Sequence, residues 1–449
     1  MLYASDLITQ YLPWYYLASQ YLKLFQLPHW VPNIYNSGYP LLAEGETGIL
    51  SPINSFILFL FPFSLAVELL YIVYFLIGLL GMYLFLRLNK LSKISSFLGG
   101  IIFILSGFMI SRYFQTSIIF SAALTPLGFA IIKRVQVKKD FLFLLPIVIY
   151  LQITAGHLQI ALISISGYLT YQVILLIFKE GRVGLLFKTC LVIILSFVLS
   201  AVQLLPSLKL FQLSDRQNWD PMVRFAYSLP LSHLITYINP SAFGISKPGD
   251  DLGFTQFGGG FWELNLTIWT LPFLLSLIPL ILLFKKNKNA ILTLYILWII
   301  FLLLSFGGFF KPYHIVSYIP HFPLRAPSRF LLIATFCAAS LAAYGFEIVI
   351  KNKSQYFKII LLFIVLVSII IQEKNQLKNY FITFPADKVI QNLQNLSGSK
   401  LTTPLILSKT NYENNYFYIF KKEFEKGLII SFISAFILLL WGVNKKCKL

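Results

Sequence analysis

"LAVELLYIVYFLIGLLGMYLFLRLNKLSK", residues Leu65–Lys93, decides the fold. Leu65–Leu86 is an unbroken apolar run, apart from Glu68 near its start. It has the length needed to cross a bilayer core, about 20 residues. Arg87, Lys90 and Lys93 follow at once, and such cations gather in cytoplasmic loops. The stretch reads as one membrane span with its inner end marked by charge.

Composition extends the reading to the whole chain. Of 449 residues, 57% are hydrophobic and 12% charged. A soluble domain carries about 25% charged residues, so an ordinary soluble protein is excluded. The mean hydropathy is +0.76. The net charge of +19 would point to nucleic acid in a soluble protein. Here the cations cluster in short loops between apolar runs, which is the bias of cytoplasmic loops. Cys190 and Cys337 lie inside apolar runs and Cys447 in the basic tail, with no CxxC spacing. Neither a disulfide framework nor a zinc site is expected.

Ten further runs follow: residues 96–110, 117–132, 141–154, 158–178, 185–205, 264–284, 290–306, 328–350, 356–372 and 427–443. The expected fold is all-α, a polytopic transmembrane bundle of about eleven spans. Basic residues mark alternate loops: Lys133 to Lys139, Lys179 to Lys188, Lys285 to Lys288, Lys351 with Lys353, and the tail "NKKCKL". That alternation puts the C-terminus inside and the N-terminus outside. An outside start without a leader predicts a further, missing first helix ahead of Met1. The chain divides into a first outer loop with an interfacial helix, 1–64, and a membrane bundle, 65–372, with an outer loop at 206–262. A polar outer segment, 373–426, and a last span with a basic tail, 427–449, complete it.

Polar chemistry collects on the outer side. The inner loops carry only Asp140 and Glu180 as acids. "DLITQYLPWYYLASQYLKLFQLP" (Asp6–Pro28) has apolar residues at helical spacing and reads as an amphipathic helix in the interface. Asp6 suits two roles there. It can cap the helix N-terminus, or it can act as a general base or a ligand to a divalent cation. "ITAGHLQIAL" (Ile153–Leu162) sets His157 and Gln159 at the mouth of a hairpin. "PHFPLRAPSRFLLIA" (Pro320–Ala334) presents Arg325 and Arg329 at the outer end of a span. Those arginines suit snorkelling to head groups or clamping a phosphate. "GFTQFGGGFWELNL" (Gly253–Leu266) brings Glu263 to a span start after flexible glycines, as a mobile loop or a turn.

Four segments in order resemble the YfhO family of bacterial membrane proteins. They are the opening "DLITQYLPW" (Asp6–Trp14), "LPHWVPNIYNSGYPLLA" with "SPIN" (Leu27–Asn54), "AGHLQ" (Ala155–Gln159) and "FPLRAPSRF" (Phe322–Phe330). The resemblance covers roughly residues 5–350. It implies a GT-C-class integral-membrane glycosyltransferase using polyprenyl-phosphate sugars. It also implies that Asp6 is the first-loop acid, binding the acceptor, acting as base or helping to hold Mg or Mn. Arg325 and Arg329 would then meet the donor phosphate, with Glu44 and His157 as secondary groups.

The resulting expectation is transfer of a sugar from a polyprenyl-phosphate carrier to a cell-envelope acceptor, a glycopolymer or protein, at the outer face of the bacterial plasma membrane. The site would comprise Asp6 as catalytic acid and Glu44, His157, Gln159, Glu263, Arg325 and Arg329 as binding groups. The rival readings are a transporter or flippase of lipid-linked glycans and a non-catalytic envelope-assembly scaffold. A transporter would place charge in mid-span, and these runs are nearly free of it.

Overall fold

The computed structural model describes residues 6–32, 34, 38–215, 221–240, 242, 260–281, 288–318, 324–351 and 411–446. All the regular elements among them are helical. Among the described residues, six helices are long and apolar enough to cross a membrane: Phe63–Leu88, Lys93–Ile110, Thr116–Val137, Leu158–Ile177, Lys288–Ser305 and Pro327–Lys351. The protein is therefore an all-α, multi-pass membrane protein.

Several expected spans take other forms. Phe141–Thr154 and Thr270–Ile281 are shorter apolar helices. The run at 185–205 divides into α11 (Val183–Leu199) and α12 (Ala201–Gln212), bent by 70° at Ser200. Residues 356–372 lie outside the described residues, as do Asp220, Asp250, Asp251, His321 and most of the expected polar segment 373–426. Helix α17 (Asn411–Lys446) runs unbroken across residue 427.

The sidedness of each helix follows its sequence. In α4 (Phe63–Leu88), Ile72, Leu76 and Leu80 recur at four-residue spacing and are exposed, as a lipid-facing stripe must be. Leu70, Tyr74 and Met82 line its buried side. Helix α16 (Leu331–Lys351) is buried nearly all round and carries Ala338, Ala339, Ala342 and Ala343. Small residues let neighbouring helices approach closely in lipid.

The two ends of the bundle differ. At one end the Glu347 carboxylate accepts from the Ser92 N–H at 3.0 Å, satisfying a first-turn donor of α5 (Lys93–Ile104). Nearby in this layer Asn289 donates to Glu180 at 2.8 Å. This is the basic-loop end. The opposite end gathers the loops that carry the remaining polar residues.

Candidate functional site

Four chain segments meet at that opposite end. The turn after Gly107–Ile110 supplies Arg112. The turn between α9 (Leu145–Thr154) and α10 (Leu158–Ile177) supplies His157 and Gln159. The short helix α13 (Phe261–Leu264) supplies Glu263, and the 3-10 turn Pro327–Phe330 supplies Arg329.

Glu263 is the hub and is 1% exposed. Its Oε1 accepts from Arg329 Nε at 3.3 Å and Nη2 at 3.0 Å. Its Oε2 accepts from Arg112 Nε at 3.3 Å and Nη2 at 3.0 Å, and from Ser328 Oγ at 3.4 Å. Both guanidiniums thus present a two-nitrogen fork to one carboxylate, the geometry that arginine offers and lysine does not. Arg112 is fully buried; it also donates to the Glu263 and Phe108 carbonyls and lies 4.1 Å above the Phe108 ring. Trp262 packs edge-on against Phe114, and Ser111 Oγ donates to its carbonyl, pinning the Glu263 segment down. Burial pushes the Glu263 carboxyl up, but the Arg329 and Arg112 charges outweigh it and hold the group at about 2.

Arg329 reaches onward through Nη1, 3.1 Å from both His157 Nε2 and Gln159 Oε1. Burial, then the charges of Arg329 and Arg325, push His157 well below its ordinary value, so the imidazole is neutral. Its Nδ1 faces the Ile160 N–H at 3.4 Å, closing the first turn of α10. A neutral imidazole has one N–H and one accepting lone pair, yet donors face both nitrogens. The cluster therefore holds more donors than acceptors. It also holds two guanidinium charges against one carboxylate. Arg325 is exposed beside it, and Gln159 Nε2 donates to the Arg325 carbonyl.

A second polar group adjoins the first. Gly156, with φ +120°, leaves room for Glu46: a Cβ there would lie 2.9 Å from the Glu46 carbonyl. Reciprocally, a Cβ on Gly48 would lie 2.9 Å from the Ala155 carbonyl. The two loops therefore touch backbone to backbone. Glu46 Oε2 accepts from Gln10 Nε2 at 3.1 Å and Tyr11 OH at 3.0 Å. The Tyr11 oxygen is 2.8 Å from Ser117 Oγ, and Tyr15 OH donates to Thr116 Oγ1 at 2.6 Å. Behind this loop, α12 holds the chain by its carbonyls. Gln203 Nε2 donates to Leu42 O at 3.1 Å and Ser207 Oγ to Ala43 O at 2.7 Å. Helix α17 backs α12, where Ser431 Oγ accepts from the Val202 N–H at 3.0 Å, just past the bend.

Of the sequence-predicted residues, His157, Gln159, Glu263 and Arg329 come together in one hydrogen-bonded cluster, with Arg325 at its rim. Glu44 is turned to Tyr39, whose hydroxyl donates to it. Asp6 precedes a π-helical turn, Leu7–Tyr11, and of its two sequence readings the side-chain cap is not the one observed. Its backbone is already helical, φ −65° and ψ −35°, and its side chain makes no cap bond. The following helix, Leu12–Lys23, has one buried face. It buries Tyr15 in the main core, Ala18 beside Val202 and Phe424, and Trp14 and Tyr21 against Val31 and Leu41 of the segment that follows it. Arg112, Glu46 and Tyr11 are the site residues that sequence reasoning missed. Arg112 had a usable signal, since it breaks the inner-loop charge bias as Arg325 does.

Among the described residues, no three His, Cys, Asp or Glu side chains assemble as metal ligands. Glu263 is saturated by guanidiniums, and hard divalent cations need several oxygen ligands. The Glu263 cluster itself is therefore not the seat of a divalent cation; the Mg or Mn expected at Asp6 concerns a different carboxylate. No family model, curated protein or solved structure matches this chain.

Proposed function

We propose that the protein is a GT-C-class membrane glycosyltransferase that moves a sugar from a polyprenyl-phosphate carrier to a cell-envelope acceptor at the outer face of a bacterial plasma membrane. One observation carries the reading. Arg329 Nη1 stands 3.1 Å from both His157 and Gln159, so two of the segments that resemble the YfhO family meet in one donor-rich, cationic cluster. A site with surplus positive charge and surplus N–H donors, at the ends of membrane spans, suits an anionic group delivered from the bilayer.

In this mechanism Asp6 orients the acceptor hydroxyl or takes its proton. The hydroxyl oxygen bonds to the anomeric carbon as the bond from that carbon to the phosphate oxygen breaks. The leaving phosphate keeps the electron pair and is stabilised by the cluster, with Arg325 exposed at its rim. Glu263 holds Arg112 and Arg329 apart and in place. Glu44 lies outside this account.

The test uses membranes containing the full chain. They are supplied with radiolabelled polyprenyl-phosphate glucose, galactose, mannose and N-acetylglucosamine in turn. Chain-dependent labelling of envelope material is expected with one of them and is lost in Asp6→Asn. Absence of chain-dependent transfer from all of these donors overturns the reading. Transfer retained in Asp6→Asn removes Asp6 from the reaction.

A further inference from the structure

The π-helical turn Leu7–Tyr11 gives the first outer segment an unusual register. The Leu12 N–H bonds to Leu7 O, an i to i+5 step. One such turn after Asp6 come Gln10 and Tyr11, on the same face of the turn. Both of their side chains donate to Glu46 Oε2, at 3.1 and 3.0 Å. Tyr11 is 4% exposed, and its single hydroxyl proton goes to Glu46, so Ser117 Oγ is the donor to the Tyr11 oxygen at 2.8 Å. Burial, then the Glu46 charge, push Tyr11 well above 10, which keeps its hydroxyl protonated.

Glu46 itself is half-buried rather than sealed. It stands on a loop whose backbone touches Gly156, the residue before His157. The loop is braced from behind by Gln203 and Ser207. A half-buried carboxylate that accepts from Gln10 and Tyr11, on a loop whose backbone packs against the residue before His157, has the attributes of a general base. Glu263 does not, because both of its oxygens are committed to arginine.

From this arrangement we infer that Glu46 is a catalytic carboxylate of the proposed transfer, with Tyr11 and Gln10 as its positioning residues. Glu46 takes the proton of the acceptor hydroxyl while the hydroxyl oxygen bonds to the anomeric carbon. The bond from that carbon to phosphate breaks, and the phosphate leaves with the electron pair. Asp6, one π-turn before Gln10, holds the acceptor. The inference rests on the glycosyltransferase reading.

The experiment compares wild type, Glu46→Gln and Tyr11→Phe as full chains in membranes, using the donor that the wild type transfers. Glu46→Gln is expected to lower the transfer rate about 100-fold or more, while donor KM and the thermal midpoint of the purified protein stay near wild type. Tyr11→Phe keeps the carboxylate but removes a bond to its charged form. It is expected to slow transfer about tenfold and to move the acid limb of the pH–rate profile upward, since the carboxylate becomes easier to protonate. A purely structural Tyr11 would lower the thermal midpoint and leave that limb in place. If the wild type transfers and Glu46→Gln transfers within threefold of it (roughly 0.7 kcal/mol of barrier,), Glu46 is not the base, and the glycosyltransferase reading stands without it. If Glu46→Gln misfolds, an unmoved acid limb in Tyr11→Phe overturns the inference. Failure of the wild type with every donor overturns the parent reading instead.

Discussion

The carbonyl oxygen of Glu46 stands 2.9 Å from where a β-carbon on Gly156 would sit. Residues 110 positions apart are thus packed with no side chain between them, and the loop bearing Glu46 is seated directly on the His157 turn. Gly156 also has φ +120°, a conformation that L residues with a Cβ rarely adopt. Gly156→Ala should therefore cost about 1–3 kcal/mol of stability and push Glu46 out of register. Thermal unfolding in detergent, alongside the transfer assay, should report both losses together.

Glu263→Gln should be among the most damaging single changes outside the apolar core. It leaves Arg112 and Arg329 buried and facing one another without a counter-charge. Removing one partner of a buried ion pair costs about 3–5 kcal/mol. Arg329→Met together with Glu263→Gln should be milder than the two losses summed, because the second change relieves the first. A double-mutant cycle by thermal or denaturant unfolding checks this.

Acid should loosen this end of the molecule in a defined window. The Glu263 carboxyl is lowered from an ordinary 4.5 to about 2. A depressed carboxylate contributes stability that is whole above the unfolded value and is lost as pH falls through the folded one. The contribution of Glu263 is therefore complete above pH about 4.5 and disappears toward pH about 2. The wild-type thermal midpoint should fall across that window with a steeper slope than that of Glu263→Gln.

Arg329→Lys keeps the charge and loses the fork. A single ammonium cannot hold Glu263 through two nitrogens and also reach His157 and Gln159. Transfer should fall by about tenfold or more, on the scale of 1.5–3 kcal/mol for a charged hydrogen bond. If the proposed transfer is the activity, a full-rate Arg329→Lys variant would show that the charge alone suffices.

Gln203→Leu removes the donor that holds the Leu42 carbonyl and should free the segment around Glu46. Limited proteolysis in detergent should reveal new cleavage near residues 40–48, at a stability cost of about 1–3 kcal/mol for the orphaned carbonyl.

Much of the bundle was legible in the sequence because period and charge are local signals. The exposed stripe of Ile72, Leu76 and Leu80 follows directly from helical spacing. Length was harder. The break at Ser200 sits inside one apolar run, "LSFVLSAVQLLP" (Leu195–Pro206), where Pro206 is the one local helix-breaking signal and does not by itself fix a 70° turn. Beside the bend the contacts are tertiary: Val202 takes its partner from Ser431, and Gln203 takes Leu42. The candidate site shows the same division. His157, Gln159, Arg325 and Arg329 were visible as polar groups at span mouths. Arg112 lies between two apolar runs, but nothing local pairs it with Glu263, since 151 residues separate the two. Tyr11 looked like an interfacial aromatic, because a hydroxyl's partner cannot be read from its neighbours in the chain.

The bond from Val202 to Ser431 also sets an order of assembly. The loop near residue 45 is braced by α12, and α12 is bent into place by a helix 229 residues further along. During synthesis, the segment bearing Glu46 must wait, inserted but unsupported, until the closing helix arrives. Contacts so distant in sequence form late and slowly. The pulse-labelled protein should therefore pass through a protease-sensitive stage that ends only after α17 is complete.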